Sequence, residues 1–182
     1  MLLPMNAMDA YHGTCCARVE AYLAEHYGIP IVLRDIPPPF KGDLDGSEIH
    51  IDHDSAPGDR LFLVLHLFGH TVQWNVNPRS REIGRPLPVP VDEALLPEII
   101  AYEREAASYA ISLLHRLEIF DLDQWMSDVT ASDLEYLLHY YRTGERRDAH
   151  TFFTEGRELI APLPIPDFRP TKWVFRSSGV VV

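Results

Sequence analysis

Two histidines four residues apart, His66 and His70, are the residues of this chain whose type and spacing most clearly indicate chemistry. They lie in the apolar stretch LFLVLHLFGHTVQWN, which runs from Leu61 to Asn75. On an α-helix this spacing puts both imidazoles on one face, about one turn apart, which is the geometry that a single metal ion needs from two ligands. Because apolar residues cover nearly every side of this helix, we expect it to lie at the centre of the fold.

The alternative is a buried helix with two core histidines bonded to backbone carbonyls. Burying both imidazoles without partners would cost about 1 to 3 kcal/mol each, and a metal would supply a partner to both. Zinc peptidases keep their general-base glutamate directly after the first histidine, where this chain has Leu67. The pattern therefore indicates a metal site more clearly than it indicates a reaction.

A third ligand is expected from the long helix that begins near Pro97 and ends near Leu117. Its two candidate carboxylates are Glu103 and Glu105. Glu103 shares its helical face with an apolar, small-residue stripe made of Ile99, Ile100, Ala106, Ala107 and Ala110. A carboxylate in a buried stripe needs a cation, either a metal or an arginine, so Glu103 is the preferred ligand and Glu105 the second choice. The alanines would let the two helices approach closely.

The elements around this pair of helices are predicted from turn residues and periodicity. The pattern indicates a first helix capped by Thr14, a strand over 30–36 ended by the prolines of 37–39, a turn over 42–46 and a strand over 48–52. In this second strand His50 and Asp52 alternate with isoleucines, which predicts a half-exposed strand paired antiparallel with the first. His50, Asp52 and the following His53 are therefore either surface residues or ligands.

The rest of the chain is predicted to contain a long loop over 75–90 and, beyond the Glu103 helix, further helices. Ser132 begins a capping box for a helix that ends at Gly144, and a proline-rich tail over 162–182 ends in a possible strand. His139, Tyr140 and His150 are candidates to reach a substrate at the metal, and no pattern chooses among them.

Composition restricts the kind of protein. The 182 residues are 46% hydrophobic and 24% charged, as in an ordinary globular chain, and the formal net charge of −11 disfavours nucleic acid and anionic membranes as partners. The N-terminal stretch lacks a charged signal-peptide region, and no apolar run is long enough to span a bilayer, so a cytoplasmic location is expected. Neighbouring Cys15 and Cys16 are expected to be unpaired, small apolar residues of the first helix.

The order helix, strand, strand, His-x-x-x-His helix and Glu-x-Glu-Ala-x-x-Tyr-Ala-x-x-Leu-Leu helix resembles the ImmA/IrrE family of metallopeptidase-like proteins. The resemblance covers about residues 14–115. It implies an α+β, mostly helical, zincin-like domain over 1–120 with a small antiparallel sheet on the metal-binding helix, followed by a C-terminal extension over 121–182 packed on the same unit. It also implies zinc bound by His66, His70 and Glu103. Two positions depart from the family pattern, Leu67 in place of glutamate and Ala107 in place of asparagine.

Three functions are consistent with these residues. The first is a zinc-dependent enzyme of hydrolase type, though not an ordinary peptidase, acting on a small-molecule or peptide substrate, with a homodimer left open. The second is a non-heme Fe(II) enzyme, because two histidines and one carboxylate are also the ligand set of that class. The third is a catalytically inactive binding or regulatory protein in which the metal only stabilises the fold. Glu105 is a further candidate for the proton-transfer role that Leu67 cannot fill.

Overall fold

The computed structural model describes residues 5–37, 40–173 and 180–181. Its helices are α1 (Met5–Tyr22, continued by a π-helical turn Leu23–Tyr27), α2 (Pro57–Val76), α3 (Pro78–Ile83), α4 (Leu96–Arg116) and α5 (Asp123–Thr143). Its strands are β1 (Ile31–Arg34), β2 (Phe40–Leu44), β3 (Ile49–Asp52) and β4 (Val180–Val181), and 3-10 turns cover Glu93–Leu95 and Ala149–Phe152. The predicted α+β, mostly helical class is confirmed.

Helix α2 is the centre of the fold, as its apolar sequence predicts. Every residue from Leu61 to Trp74 is buried, including both histidines. Helices α1 and α4 pack on two sides of it, and strands β2 and β3 pack on another. In the part of the chain that the structure describes, no helix combines the length and apolarity needed to cross a membrane.

The sheet is mixed, so the predicted antiparallel pairing of the first and second strands is wrong. Strand β1 pairs parallel with β3, with Ile31 opposite Ile49. Residues 40–44, predicted to be mostly turn, form β2 instead, which occupies the antiparallel position on the other side of β3, with Gly42 opposite Ile51. The turn is limited to residues between β2 and β3, where Asp45 accepts the backbone N–H groups of Ser47 and Glu48. Pro38 and Pro39 lie outside the described residues.

Helix α1 begins earlier than Thr14, which is therefore not its cap. The Thr14 hydroxyl donates to the carbonyl of Ala10, a bond that threonine makes inside a helix. Gly28 ends the helical segment in the left-handed conformation at φ 66°, as predicted. Cys15 and Cys16 are unpaired and buried, in agreement with their interpretation as small apolar residues.

Helix α5 is continuous from Asp123 to Thr143, so the predicted capping box at Ser132 is also wrong. The Ser132 hydroxyl donates to the carbonyl of Ala149, which follows the helix, and does not cap a helix start. Gly144 ends the helix at φ 73°, as predicted. The predicted loop over 75–90 likewise contains a helix, α3, capped by Asn77.

Beyond the 3-10 turn Ala149–Phe152 the described chain runs without regular structure as far as residue 173, forming a strap across the core elements. The backbone N–H of Leu163 donates to Ser108 on α4, and that of Thr171 donates to Gly46 next to the sheet. Val180–Val181 then pairs with β2, so this part of the predicted C-terminal strand is present, while residues 174–179 and 182 lie outside the described residues. The strap therefore joins the sheet to the α4 side of the molecule.

Candidate metal centre

Three side chains from α2 and α4 converge at the centre of the molecule. His66 Nε2 and His70 Nε2 are 3.1 Å apart, and Glu103 Oε2 lies 3.1 Å from His70 Nε2 and 3.5 Å from His66 Nε2. All three residues are buried. Among residues 5–37, 40–173 and 180–181, no other trio of histidine, cysteine, aspartate or glutamate brings its ligand atoms so close together. The structure thus brings together the three residues that the sequence favoured as ligands.

Small residues where α2 and α4 cross let the two helices approach closely enough for this convergence. A Cβ atom added to Gly69 would lie 2.1 Å from the carbonyl oxygen of Ala106, so the two backbones are in direct contact there. Gly69 precedes His70, and Ala106 lies one turn after Glu103. The predicted close approach of the two helices is therefore present, and it occurs immediately beside the ligand atoms.

The tautomer of a neutral His70 is fixed by Gln73 on the same helix. The Gln73 Nε2 group donates to the carbonyl of Tyr102 at 2.8 Å and to Glu105 Oε2 at 2.6 Å. Both partners are acceptors, so Gln73 Oε1 is the atom that faces His70 Nδ1 at 2.9 Å. His70 Nδ1 therefore carries the hydrogen, and the lone pair of His70 Nε2 points toward the other two ligand atoms.

His66 is a neutral imidazole in this environment. Burial, and to a smaller extent repulsion from His70, lower its pKa to about 3, against the opposite effect of the negative charge of Glu103. Its Nδ1 atom is buried and has no hydrogen-bond partner among the described residues, and its ring stacks on Phe62 at a centroid distance of 5.3 Å. In one tautomer His66 Nε2 donates a hydrogen bond, and in the other it presents a lone pair to the other two candidate ligands.

The donor set fits a divalent cation. When both histidines are neutral and Glu103 is ionised, at most one hydrogen, on His66 Nε2, is available to these three mutually close atoms. A cation would bond all three at once, and two imidazoles with one carboxylate are an established ligand set for zinc and for non-heme iron. The ring of Tyr102, stacked on His70 at 4.3 Å, further fixes the orientation of this ligand.

Leu67, which stands where zinc peptidases have their general base, faces the sheet. Its side chain is fully buried, and a Cβ atom added to Gly42 of β2 would lie 2.9 Å from Leu67 Cδ1. It therefore serves the apolar contact between α2 and the sheet. A proton-transfer group for any reaction at this centre has to come from another element.

A cavity of about 520 Å³ adjoins the centre on the side of α5. Phe62, which stacks on His66, is part of its wall, as are Trp125, Val129 and Tyr136. The ligands themselves do not line the cavity. Phe62 therefore contacts both the cavity and His66.

Asp133 on α5 is the second residue that links the cavity to the centre, and it was missed in the sequence. It lines the cavity and is only 4% exposed, and its Oδ1 atom has no hydrogen-bond partner among the described residues. Burial, and then the negative charge of Glu103, raise its pKa well above that of an ordinary aspartate. The carboxyl group therefore retains its proton to higher pH than an exposed aspartate does.

A signal for Asp133 was present in the helical periodicity. Met126, Thr130 and Leu137 lie seven and three residues before it and four after it, and all three are buried. This is the pattern that singled out Glu103. The prediction that a helix starts at Ser132 places Asp133 at an exposed helix end, and it therefore gives no reason to expect a buried carboxyl group there.

The other residues proposed for proton transfer are distributed differently. Glu105 bonds Gln73 and so supports His70 indirectly, and it does not belong to the converging trio. His139 packs against Phe152 at a centroid distance of 5.8 Å and, like Tyr140, does not line the cavity. His150 does line it, from an exposed position.

The histidines of the second predicted strand lie away from the centre. His50 is buried rather than half-exposed, with its ring nitrogens 3.3 Å from Arg34 and 3.2 Å from Glu48. His53 is about half-exposed and lies 3.1 Å from Asp35. Within the described residues these side chains join no group suited to hold a metal.

The resemblance to the ImmA/IrrE family rests on two motifs and on the order of the elements. The structure retains the order of the helices that carry the motifs, but it contains an additional strand, β2, between the two predicted ones. Comparison of the chain with protein-family models, with curated proteins and with solved structures finds no match.

Proposed function

We propose that this protein is a metal-dependent enzyme, with zinc as the first choice of metal, that acts on a small-molecule or peptide substrate but is not an ordinary peptidase. The observation that carries the proposal is the convergence of His66, His70 and Glu103, with the His70 lone pair directed at the other two by Gln73. A divalent cation held there would supply Lewis acidity, polarising a substrate oxygen. The ImmA/IrrE-like scaffold is part of the same proposal.

The chain's own residues would bind the substrate and move its proton. The apolar wall of the cavity would hold the body of the substrate and keep water out, and Phe62 would shield His66 from solvent. Asp133 Oδ1 lines the same cavity and lacks a partner, so it is placed to exchange a proton with the substrate. Asp133 is thus our candidate for the proton-transfer group, a role that Leu67 cannot fill.

The metal content of protein purified without an affinity tag tests this proposal. We expect about one equivalent of metal in the wild type and in Glu105→Gln, and less than about a tenth of it in His66→Ala and Glu103→Gln. Glu105→Gln is the matched control, because it neutralises the other candidate carboxylate of α4 while its amide oxygen can still accept from Gln73. Equal metal content in Glu103→Gln and the wild type would reject Glu103 as a ligand.

Turnover separates the enzyme from a protein in which the metal only stabilises the fold. The full burial of the three ligands favours this second reading, because catalytic sites keep one position open to substrate. We expect Asp133→Asn to abolish turnover of any substrate found while it keeps its metal. Metal that exchanges only on unfolding, with no substrate class turned over, would favour the stabilising role.

Iron is the alternative metal, since the same donor set binds Fe(II). Elemental analysis after growth with both metals supplied, followed by assays with and without oxygen, distinguishes the two enzymes. Turnover that requires oxygen and iron would replace the zinc assignment.

A further inference from the structure

The cavity beside the metal centre has a polar atom at its deep side that no protein group satisfies. Asp133 lines the cavity with 4% exposure, and its Oδ1 atom has no hydrogen-bond partner among the described residues. The charge of Glu103 helps to raise the pKa of Asp133, so this side of the cavity lies toward the metal centre. A buried oxygen without a partner is costly, and a donor from a bound molecule would satisfy it.

Two of the basic side chains in the lining are already paired with carboxylates. Lys41 Nζ lies 3.1 Å from Asp59 Oδ2, and Asp59 is itself part of the lining. Arg147 Nη2 lies 4.0 Å from Glu145 Oε2. An anionic ligand would therefore compete with carboxylates that the protein already supplies.

The remaining charged side chains of the mouth are engaged as well. The Arg146 guanidinium lies over the ring of Tyr140 at 5.7 Å, and Asp148 Oδ1 accepts the backbone N–H of His150. Apart from His150, the basic and acidic side chains of the lining are equal in number, namely Lys41, Arg146 and Arg147 against Asp59, Asp133 and Asp148. A charged ligand would give up its hydration here without gaining a free counter-charge at the mouth.

The walls of the cavity are largely aromatic and aliphatic. Phe62, Trp125, Val129 and Tyr136 contribute this surface, and the volume of about 520 Å³ is in the range of small-molecule sites. Phe153 also lines the cavity, and at 44% exposure it lies at the mouth. The ligand body that fits these walls is a single aromatic ring on a short aliphatic chain.

We propose that this cavity binds a small uncharged aromatic alcohol, with its hydroxyl group donating to Asp133 Oδ1 at the deep side and its ring lying toward Phe153 at the mouth. The unpartnered, buried oxygen of Asp133 is the observation that points to a ligand, and the paired charges of the mouth select an uncharged one. The inference deepens the proposed function and rests on it for turnover, because it directs the hydroxyl group toward the metal centre. Binding itself requires only the cavity.

NMR titration of the isotope-labelled protein with three probes tests the charge preference. The probes are 3-phenylpropan-1-ol, 3-phenylpropanoate and 3-phenylpropan-1-amine, which share one skeleton and are neutral, anionic and cationic at neutral pH. We expect the alcohol to bind at least about tenfold more tightly than either ion, because burying an unpaired charge costs more than burying a bonded hydroxyl group. Tighter binding of either ion than of the alcohol would overturn the inference.

The hydrogen bond at the deep side is tested with the methyl ether of the same alcohol, which lacks the donor. The alcohol should bind about 3- to 10-fold more tightly than the ether to the wild type, and equally to Asp133→Ala. Glu135→Ala removes a carboxylate of α5 that pairs with Arg157 outside the cavity, and it should preserve the difference. Equal binding of alcohol and ether to the wild type would reject the hydrogen bond, and this comparison does not depend on the folding of any variant.

The position of the ring is tested at the mouth. Phe153→Ala should weaken the alcohol and the ether alike, by about threefold, because both lose the same aromatic contact. Phe120→Ala is the matched control, since it removes an exposed phenylalanine that does not line the cavity. Equal effects of the two substitutions would show that the probes bind elsewhere.

Each titration is carried out on chelator-treated and on zinc-loaded protein, and the zinc content of every sample is measured. Preference for the alcohol in protein that never binds zinc would leave the cavity inference standing and reject the proposed function. Stoichiometric zinc without preference for the alcohol would do the reverse. The two proposals therefore fail separately.

Discussion

At the scale of single residues, Gln73 is the side chain that orients His70 toward the proposed metal position. Its amide donates to two acceptors on α4, which leaves its oxygen for the His70 Nδ1 hydrogen. Partners of this kind fix both the tautomer and the ring orientation of a metal-binding histidine. No sequence pattern predicts Gln73, because its role depends on the packing of α2 against α4.

Gln73→Ala should therefore weaken zinc binding by about 10- to 100-fold, the usual effect of removing such a partner. Competition with a fluorescent chelator measures the dissociation constant. Gln124→Ala removes an amide side chain that bonds Asp128 on α5, and it should leave the affinity unchanged. Wild-type affinity in Gln73→Ala would mean that His70 does not need this hydrogen bond to bind the metal.

A second prediction at this scale concerns Leu67, which faces β2 and does not line the cavity. Leu67→Glu should confer no peptidase activity and should lower the free energy of unfolding by about 3 kcal/mol or more, because it buries an unpaired charge. Urea denaturation gives the stability, and a casein assay gives the activity. Leu67→Met, which keeps the volume, should lose less than about 1.5 kcal/mol. A stable Leu67→Glu protein that cleaves casein would show that this position reaches the site.

At the scale of elements, the crossing of α2 and α4 sets the distance between the histidines and the carboxylate. Gly69→Ala would place a methyl group against the Ala106 carbonyl, where no flexible side chain can move aside. We expect a loss of about 1 to 3 kcal/mol in unfolding free energy together with weaker zinc binding. Gly13→Ala is the matched control, because a Cβ atom there meets nothing within 4 Å.

The control should be neutral or more stable by about 0.5 to 1 kcal/mol, since alanine favours a helix interior over glycine. Thermal and urea unfolding of both variants, with and without zinc, make the comparison. Equal effects of the two substitutions would show that the helix contact does not control the centre.

The elements also show how far the sequence could predict this structure. The two ligand-bearing helices were predictable because their apolar periodicity and small residues are local patterns, and they include Glu103. The parallel pairing of β1 with β3 was not predictable, because it depends on residues 40–44 forming a strand on the other side of β3. Asp133 was lost for a related reason, since a local capping pattern at Ser132 was overridden by the packing of α5.

At the scale of the whole molecule, the candidate centre contacts the main core through Phe62 and a smaller apolar cluster through Tyr102. The main core includes residues of α1, the sheet, α2, α4, α5 and the C-terminal strap, which contributes Ile165. A ligand bound between α2 and α4 therefore stabilises two helices on which the other elements pack. Its binding energy should appear in global unfolding rather than in a local transition.

Zinc should accordingly raise the melting temperature of the whole protein. At a free concentration about 100 times the dissociation constant, binding to the native state contributes about 2.7 kcal/mol. For a chain of this length that corresponds to about 5 to 10 °C. Addition of a chelator should reverse the shift in the wild type, and Glu103→Gln should show neither effect, because one of its three ligands has been neutralised. A similar zinc-dependent shift in Glu103→Gln would instead place the stabilising ion outside the three converging side chains.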